Sequence, residues 1–569
     1  MRKITPLLVI LIALAALLAL DLANRGLVWQ VFWSLTGEEN PAAQVRGMVE
    51  WAGNFTRPQP TTAPLVPIQH TDVNPFGINT FLEDEVEPAK REQQVQMIRA
   101  AGFGWIRQQF PWQDIEIHGR GDFEDRRNVE AVGVVSAWDK YDQIVALAEQ
   151  YGLQIQARLD NPPAWSHADP AIGEKAPPDD LQDFINYAVA VAERYRGRIR
   201  YYQVWNEPNI YPEWGEQAVN PEAYTEMLCR TYAALKTVDP EIVVISGALA
   251  PTVALNYRDL SDLIFLQRMY DAGAGACFDI LSMQGYGLNS GPTDHRMRPT
   301  TVNFARNLYI RDIMVANGDA HKAIWISEAA WNPIDAPEVP PDVTARENYG
   351  VTTPDEAARY MPLAYDRMQR EWPWIGVMNY WFFKRAADYE RGQSWYYFRM
   401  VDPDFTPRPI YGTMQAYLTT LTPTLYQGVH QADDWAITLT DAQPVTPDGA
   451  QFGDAAQTSA AAFTAHGTHV IARWQGAGEL QVEMDGGSPH PPTPSLSGRG
   501  EENWHDAILH SGLSAETHTF RLTSDAPFTL DSITVYDRSA TQLAPILGAA
   551  VALGAVLLGI LAAAFWERR

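Results

Sequence analysis

Two glutamates carry the first chemical signal in the 569-residue chain. Glu207 sits in the run Trp205-Asn206-Glu207-Pro208-Asn209, and Glu328 ends Trp325-Ile326-Ser327-Glu328. Each stands where an apolar run stops, with a tryptophan close by. One such glutamate alone reads as a solvated loop residue. Two at equivalent strand ends are what glycoside hydrolysis needs: one carboxyl protonates the leaving oxygen, and the other acts as nucleophile or base across the sugar. The 12 histidines are scattered without an H-E-x-x-H spacing, so no metal site is expected. No cofactor is expected either. Cys229 and Cys277 are the only cysteines, too few for a cysteine-ligated zinc site or a disulfide framework. A single bond between them is compatible with an oxidising compartment, but their spacing does not decide it.

The elements that must position these carboxyls are legible as alternation. Eight short apolar runs occur: FGINT (76–80), GWIRQQF (104–110), LQIQARLD (153–160), RYYQVWNE (200–207), IVVISGAL (242–249), FDILSMQGY (278–286), AIWISEAA (323–330) and GVMNYWFF (376–383). Helical patterns lie between them at 88–101, 138–151, 179–196, 221–238, 259–273 and 354–371. Eight strands alternating with helices predict a (β/α)8 barrel over residues 71–422. An open doubly wound sheet is the structural alternative, but no G-x-G-x-x-G follows the first strand. Barrels carry their chemistry at the C-terminal ends of strands, and Glu207 and Glu328 end the fourth and seventh runs.

VWNEPN (204–209) and WISEAAW (325–331) resemble the strand-four and strand-seven signatures of the clan A glycoside hydrolases, retaining (β/α)8 enzymes. The similarity spans roughly residues 74–420. IRQQFPWQDIE (106–116), the segment 138–165 and DFTPRPIYGTMQAYL (404–418) look like those of families 39 and 5. The resemblance implies Glu207 as acid/base, Glu328 as nucleophile, and Asn206 as a partner of the sugar 2-hydroxyl that also helps hold the nucleophile. It implies that Arg107 keeps the nucleophile ionised, with a structural ion pair as the bland alternative. It further implies that Tyr286 hydrogen-bonds the nucleophile and that Trp381 forms an aromatic floor under the reacting sugar. Trp165 is expected to line a neighbouring subsite or to pack in the core. Many members carry His-x-Tyr at strand six, where this chain has Gln284-Gly285-Tyr286. That departure bears on the particular family more than on the chemistry.

Residues 423–541 alternate apolar and polar positions with turn signals between them, which predicts a small β-sandwich. It resembles the jelly-roll modules that accompany carbohydrate enzymes. Trp435, Trp474 and Trp504 are candidates for glycan stacking or for its core, and a spacer role is the simpler reading. At the ends, residues 4–20 and 543–566 carry no charge and are flanked on their outer sides by Arg2-Lys3 and Arg568-Arg569. They read as an N-terminal signal anchor (1–23) and a C-terminal transmembrane helix with a basic tail (542–569). A cleaved signal peptide is the rival reading of the first. The expected arrangement places both termini in the cytoplasm, anchored in the lipid bilayer, with the barrel outside. Residues 24–70 read as a juxtamembrane segment, with Trp29, Trp33 and Trp51 suited to the interface, followed by a Pro-rich linker. Lys plus Arg number 43 against 69 Asp plus Glu, a formal net charge of −26, which argues against a nucleic-acid partner. The expected partner is an oligo- or polysaccharide. The expected activity is retaining hydrolysis of an extracellular or cell-surface glycan. A non-catalytic glycan-binding or exopolysaccharide-assembly protein on the same scaffold is the alternative.

Overall fold

Continuous apolar runs mark strands covered on both faces, and the eight runs form such strands. The computed structural model describes residues 6–494 and 504–538. In it the strands are β1 (Phe76–Thr80), β2 (Trp105–Pro111), β3 (Gln154–Asp160), β4 (Tyr201–Val204), β5 (Val243–Ile245), β6 (Leu281–Gln284), β7 (Ile324–Ala329) and β8 (Ile375–Tyr380). They pair in parallel in the order β5-β4-β3-β2-β1-β8-β7-β6. Parallel bridges from Ile245 to Ile280 and from Leu249 to Met283 join β5 to β6 and close the ring. The barrel is therefore of the expected (β/α)8 type.

Helices start where the caps say they should. Asn220 accepts from the Ala223 N–H ahead of Pro221–Val238, and Thr353 forms a capping box with Glu356 ahead of Pro354–Glu371. The helix Asn307–Ala316 gives no such sign in the sequence. It continues from a 3-10 turn, Phe304–Arg306, and has no side-chain cap.

Three helices precede the barrel: α1 (Pro6–Ala23), α2 (Leu27–Thr36) and α3 (Pro41–Ala52). Among the described residues no single helix is long and apolar enough to cross a membrane. Ile12–Ala23 and Leu27–Thr36 reach that composition only as a pair bent by 69°. The C-terminal stretch 543–566 lies outside the described residues. α2 and α3 dock on the loop that follows β6. Thr293 Oγ1 donates to the Trp33 carbonyl at 2.7 Å, and the His295 N–H donates to that of Leu35 at 3.0 Å. Gly37, at φ +65°, receives the Gly291 N–H on its carbonyl at 2.7 Å, and a Cβ there would meet the Gly291 backbone oxygen. Arg296 ties the same loop to Glu38 at 2.9 Å and Glu50 at 3.1 Å. Trp29 and Trp51 are buried within the α2–α3 pair, and Trp33 packs against the barrel core. Residues 54–70 also run along the barrel, with Arg57 donating to the Met297 carbonyl and Arg311 to that of Thr62.

After the barrel, a single antiparallel sheet of seven strands folds over its own core. Its two long strands, Ala455–Gln475 and His505–Tyr536, pair along most of their length. Trp474 and Trp504 are buried there, which answers the glycan-stacking alternative for both in favour of packing. Trp435 packs edge-on against Phe76 at the base of the barrel, ring centroids 5.8 Å apart. Cys229 and Cys277 form a disulfide between the helix Pro221–Val238 and the approach to β6.

Candidate active site

Glu207 is set by an abrupt end to β4. The Glu207 N–H still donates to the Ala248 carbonyl at 2.8 Å, but Trp205 and Glu207 take φ of +73° and +44°. Side chains with a Cβ rarely adopt that region, and each such residue costs on the order of 1–3 kcal/mol. The surroundings hold the turn. Trp205 Nε1 donates to the Glu213 carbonyl at 2.9 Å, and Asn209 makes reciprocal bonds with Ala250, both at 2.9 Å. Glu207 is thereby aimed into the barrel mouth rather than along the sheet.

Glu328 lies inside β7 and is buried. Its Oε1 accepts from Arg107 Nη1 at 2.9 Å and its Oε2 accepts from Tyr286 Oη at 2.7 Å. Arg107, only 2% exposed, spends the rest of its donors on neutral partners. Nε donates to Gln203 Oε1 at 2.7 Å, Nη1 also to Asn79 Oδ1 at 2.8 Å, and Nη2 to Asn206 Oδ1 at 2.9 Å. The fork fixes its orientation, and Glu328 is the carboxylate it is paired with. Asn79 and Gln203 are in turn anchored by the Ser327 carbonyl and hydroxyl.

The two carboxyls differ in environment. Burial, then repulsion from Glu328 and Glu213, pushes the Glu207 carboxyl up to about 8. Among the described residues its one side-chain hydrogen bond is from Gln284 Nε2 at 3.2 Å. The Tyr286 hydroxyl is raised well above its usual range, by burial and then by Glu328, and so stays a proton donor to that carboxylate.

Both carboxyls open onto one cavity of about 890 Å3, also lined by Asn206, Tyr286, Tyr349, Trp381 and Trp395. The structure thus brings together Glu207, Glu328, Asn206, Tyr286 and Trp381, with Arg107 buried behind them. Trp165 is not among the lining residues. Its Nε1 donates to the Glu116 carbonyl at 2.7 Å and its ring meets Trp112 edge-on at 5.4 Å. Cations at the wall are each occupied: Arg127 by Asp114 and Asp125, Arg158 by Asp160, Lys175 by Glu213, Lys140 by Asp114 and Arg385 by Glu390. Among the described residues no group of His, Cys, Asp and Glu could hold a metal ion. Asn79, Gln203 and Gln284 went unread as site residues in the sequence. The available signal was a polar side chain interrupting an otherwise apolar strand.

Fold and cavity together define a (β/α)8 barrel with a paired-carboxyl cleft at the C-terminal ends of its strands. No family model and no curated protein matches the sequence. Among solved structures the chain is similar to a family 39 glycoside hydrolase from Bacteroides cellulosilyticus WH2, at 17% identity and TM-score 0.46, over 81% of this chain and 83% of that one. It is also similar to a monomeric beta-xylosidase from Caulobacter crescentus CB15, at 15% and 0.42, over 82% and 98%. A third is xylanase 10B from Thermotoga maritima, at 14% and 0.40, over 61% and 94%. At such low identity the chemistry is assigned from the cavity's own geometry.

Proposed function

We propose that this chain is a membrane-anchored retaining glycoside hydrolase that cleaves O-glycosidic bonds of an extracytoplasmic polysaccharide. One observation carries the catalytic part: two carboxyls share a cavity in opposite environments. Glu328 is paired with a guanidinium and a phenol, whereas Glu207 is held in its protonated form to about pH 8. Divided environments of this kind assign acid and nucleophile. Glu328 attacks the anomeric carbon and forms a glycosyl ester, while the departing oxygen takes the Glu207 proton. Glu207, now ionised, takes a proton from water. That water attacks the same carbon and releases Glu328. Trp381 offers an aromatic face for the sugar's C–H bonds. Anchoring is supported by the uncharged stretch 4–20 and by the exposure of Ile12, Leu14, Leu17 and Leu20 along α1.

The test is hydrolysis of a panel of aryl glycosides and glycans by the full-length chain in detergent. Proton NMR should show the product released with the substrate's anomeric configuration. Glu328→Gln should abolish turnover. Glu207→Gln should keep its first step on a dinitrophenyl glycoside, whose leaving group needs no acid. A fluoro-glycoside should label Glu328. Glycan binding without turnover of any substrate would refute the reading. Extraction of the chain from membranes by alkaline carbonate would refute the anchor.

A further inference from the structure

We propose that Gln284 is a positioning residue for Glu207, its amide locked by Asn206 and Arg107 so that it offers that carboxyl only N–H. The inference deepens the glycosidase reading and rests on it. A guanidinium has donors and no acceptor. Arg107 Nη2, 2.9 Å from Asn206 Oδ1, therefore decides which way the Asn206 amide faces. That same Oδ1 lies 3.4 Å from Gln284 Nε2, which also reaches Glu207 Oε1 at 3.2 Å. Turning the Gln284 amide would set its oxygen against the Asn206 oxygen, whatever the state of Glu207. The orientation is thus fixed through both halves of a double displacement. One continuous chain of hydrogen bonds runs from Glu328 through Arg107, Asn206 and Gln284 to Glu207.

A second feature agrees. Gln284 is fully buried, and its Oε1 has no hydrogen-bond partner among the described residues. A buried carbonyl is rarely left so. Here turning the amide would bring that oxygen to Asn206 Oδ1, an acceptor, and take the donor away from Glu207. Gln284 also faces Glu328 across the β6–β7 ladder, at a register irregularity. Irregularities of this kind re-aim side chains next to active sites. An amide does not titrate, so the donor it presents is the same at every pH.

Several groups act on Glu207 from the surrounding elements. Glu328 on β7 and Glu213 after β4 raise it, and Lys175 after β3 lowers it. Tyr286 after β6 and Tyr349 after β7 feel its charge. Gln284 is the side-chain hydrogen-bond donor that favours its ionised form, the form needed to activate water.

The experiment is a carbon-13 carboxyl NMR titration of the full-length chain labelled at glutamate, with the Glu207 signal assigned by its loss in Glu207→Gln. Gln284→Leu and Gln284→Met should each move the Glu207 midpoint upward by about one pH unit. The alkaline limb of kcat/KM should move with it. In the unsubstituted protein, the Gln284 side-chain amide protons should shift with the same midpoint, a readout that survives if neither variant folds. An unmoved midpoint in a folded variant, or amide protons blind to the Glu207 titration, would overturn the proposal. Neither titration needs turnover, so a chain that hydrolyses nothing refutes the glycosidase reading while leaving this one readable.

Discussion

At the residue scale, the site turns on how one guanidinium spends its donors. Arg107 is buried with bonds to Gln203, Asn79, Asn206 and Glu328. Lysine would keep the charge and lose the planar fork. Arg107→Lys should therefore lower kcat/KM at least about a hundredfold, equivalent to about 3 kcal/mol of transition-state stabilisation, while KM changes much less. Steady-state kinetics on an aryl glycoside checks this, and a drop confined to KM would mean that Arg107 only binds substrate. Glu207 makes a second prediction, on stability. Its folded value of about 8 stands above the ordinary 4.5, so the fold binds its proton more tightly than the unfolded chain does. That contribution is full below about pH 4.5 and is lost as pH rises to about 8. Glu207→Gln removes the dependence. Its Tm should exceed that of the unsubstituted protein at pH 8, and the gap should close towards pH 5. A gap independent of pH across that range would mean that Glu207 is not held protonated in the folded protein.

At the scale of elements, barrel strands were legible because both their faces are covered, which leaves runs such as AIWISEAA with little polar interruption. Helices announced by Asn220 or Thr353 were legible for the same local reason. Asn307–Ala316 was not, because its start is set by a preceding 3-10 turn rather than by a cap. Asn79, Gln203 and Gln284 were hidden by a different cause. Their meaning lies in partners 77 to 248 residues away, which spacing along the chain does not encode. The docking of α2 and α3 was likewise hidden, since a Trp-rich helix beside an apolar stretch looks the same whether it meets lipid or protein. The docking makes a prediction. A chain beginning at residue 24 keeps Trp33 on the barrel core and the bonds of Trp33, Leu35, Glu38 and Glu50 to the loop after β6, whereas one beginning at residue 54 loses them. Each such hydrogen bond is worth about 0.5–1.5 kcal/mol net, more where a charge takes part. The longer chain should melt several degrees higher. The shorter one should also lose activity, because the loop released follows Tyr286, which holds Glu328. Equal melting temperatures in scanning calorimetry would show that the helices merely rest on the barrel.

At the scale of the whole molecule, the barrel carries two additions, each with its own contacts. α2 and α3 bind the loop after β6, through Thr293, His295 and Arg296, and the helix Pro354–Glu371, through Arg359. The antiparallel sheet binds the base. Its Trp435 N–H donates to the Asp72 carbonyl at 2.7 Å, its ring meets Phe76 at the start of β1, and Arg370 lies over Tyr426 at 4.7 Å. The disulfide strengthens the barrel itself. A bond spanning 48 residues removes about 4 kcal/mol of unfolded-chain entropy. From Phe76 to Thr80 at the mouth the strand rises about 13 Å, so a side chain at the base touches no group in the cleft. Trp435→Ala should then separate stability from catalysis. Losing a large ring at a partly buried contact costs about 2–3 kcal/mol, and in a chain of this length that lowers Tm by a few degrees. The same variant should keep kcat/KM within about twofold on a small aryl glycoside and on a long glycan alike. A selective loss on the long glycan, with Tm unchanged, would instead give the sheet a part in holding substrate. That outcome would require the polymer to pass along the side of the barrel to its base.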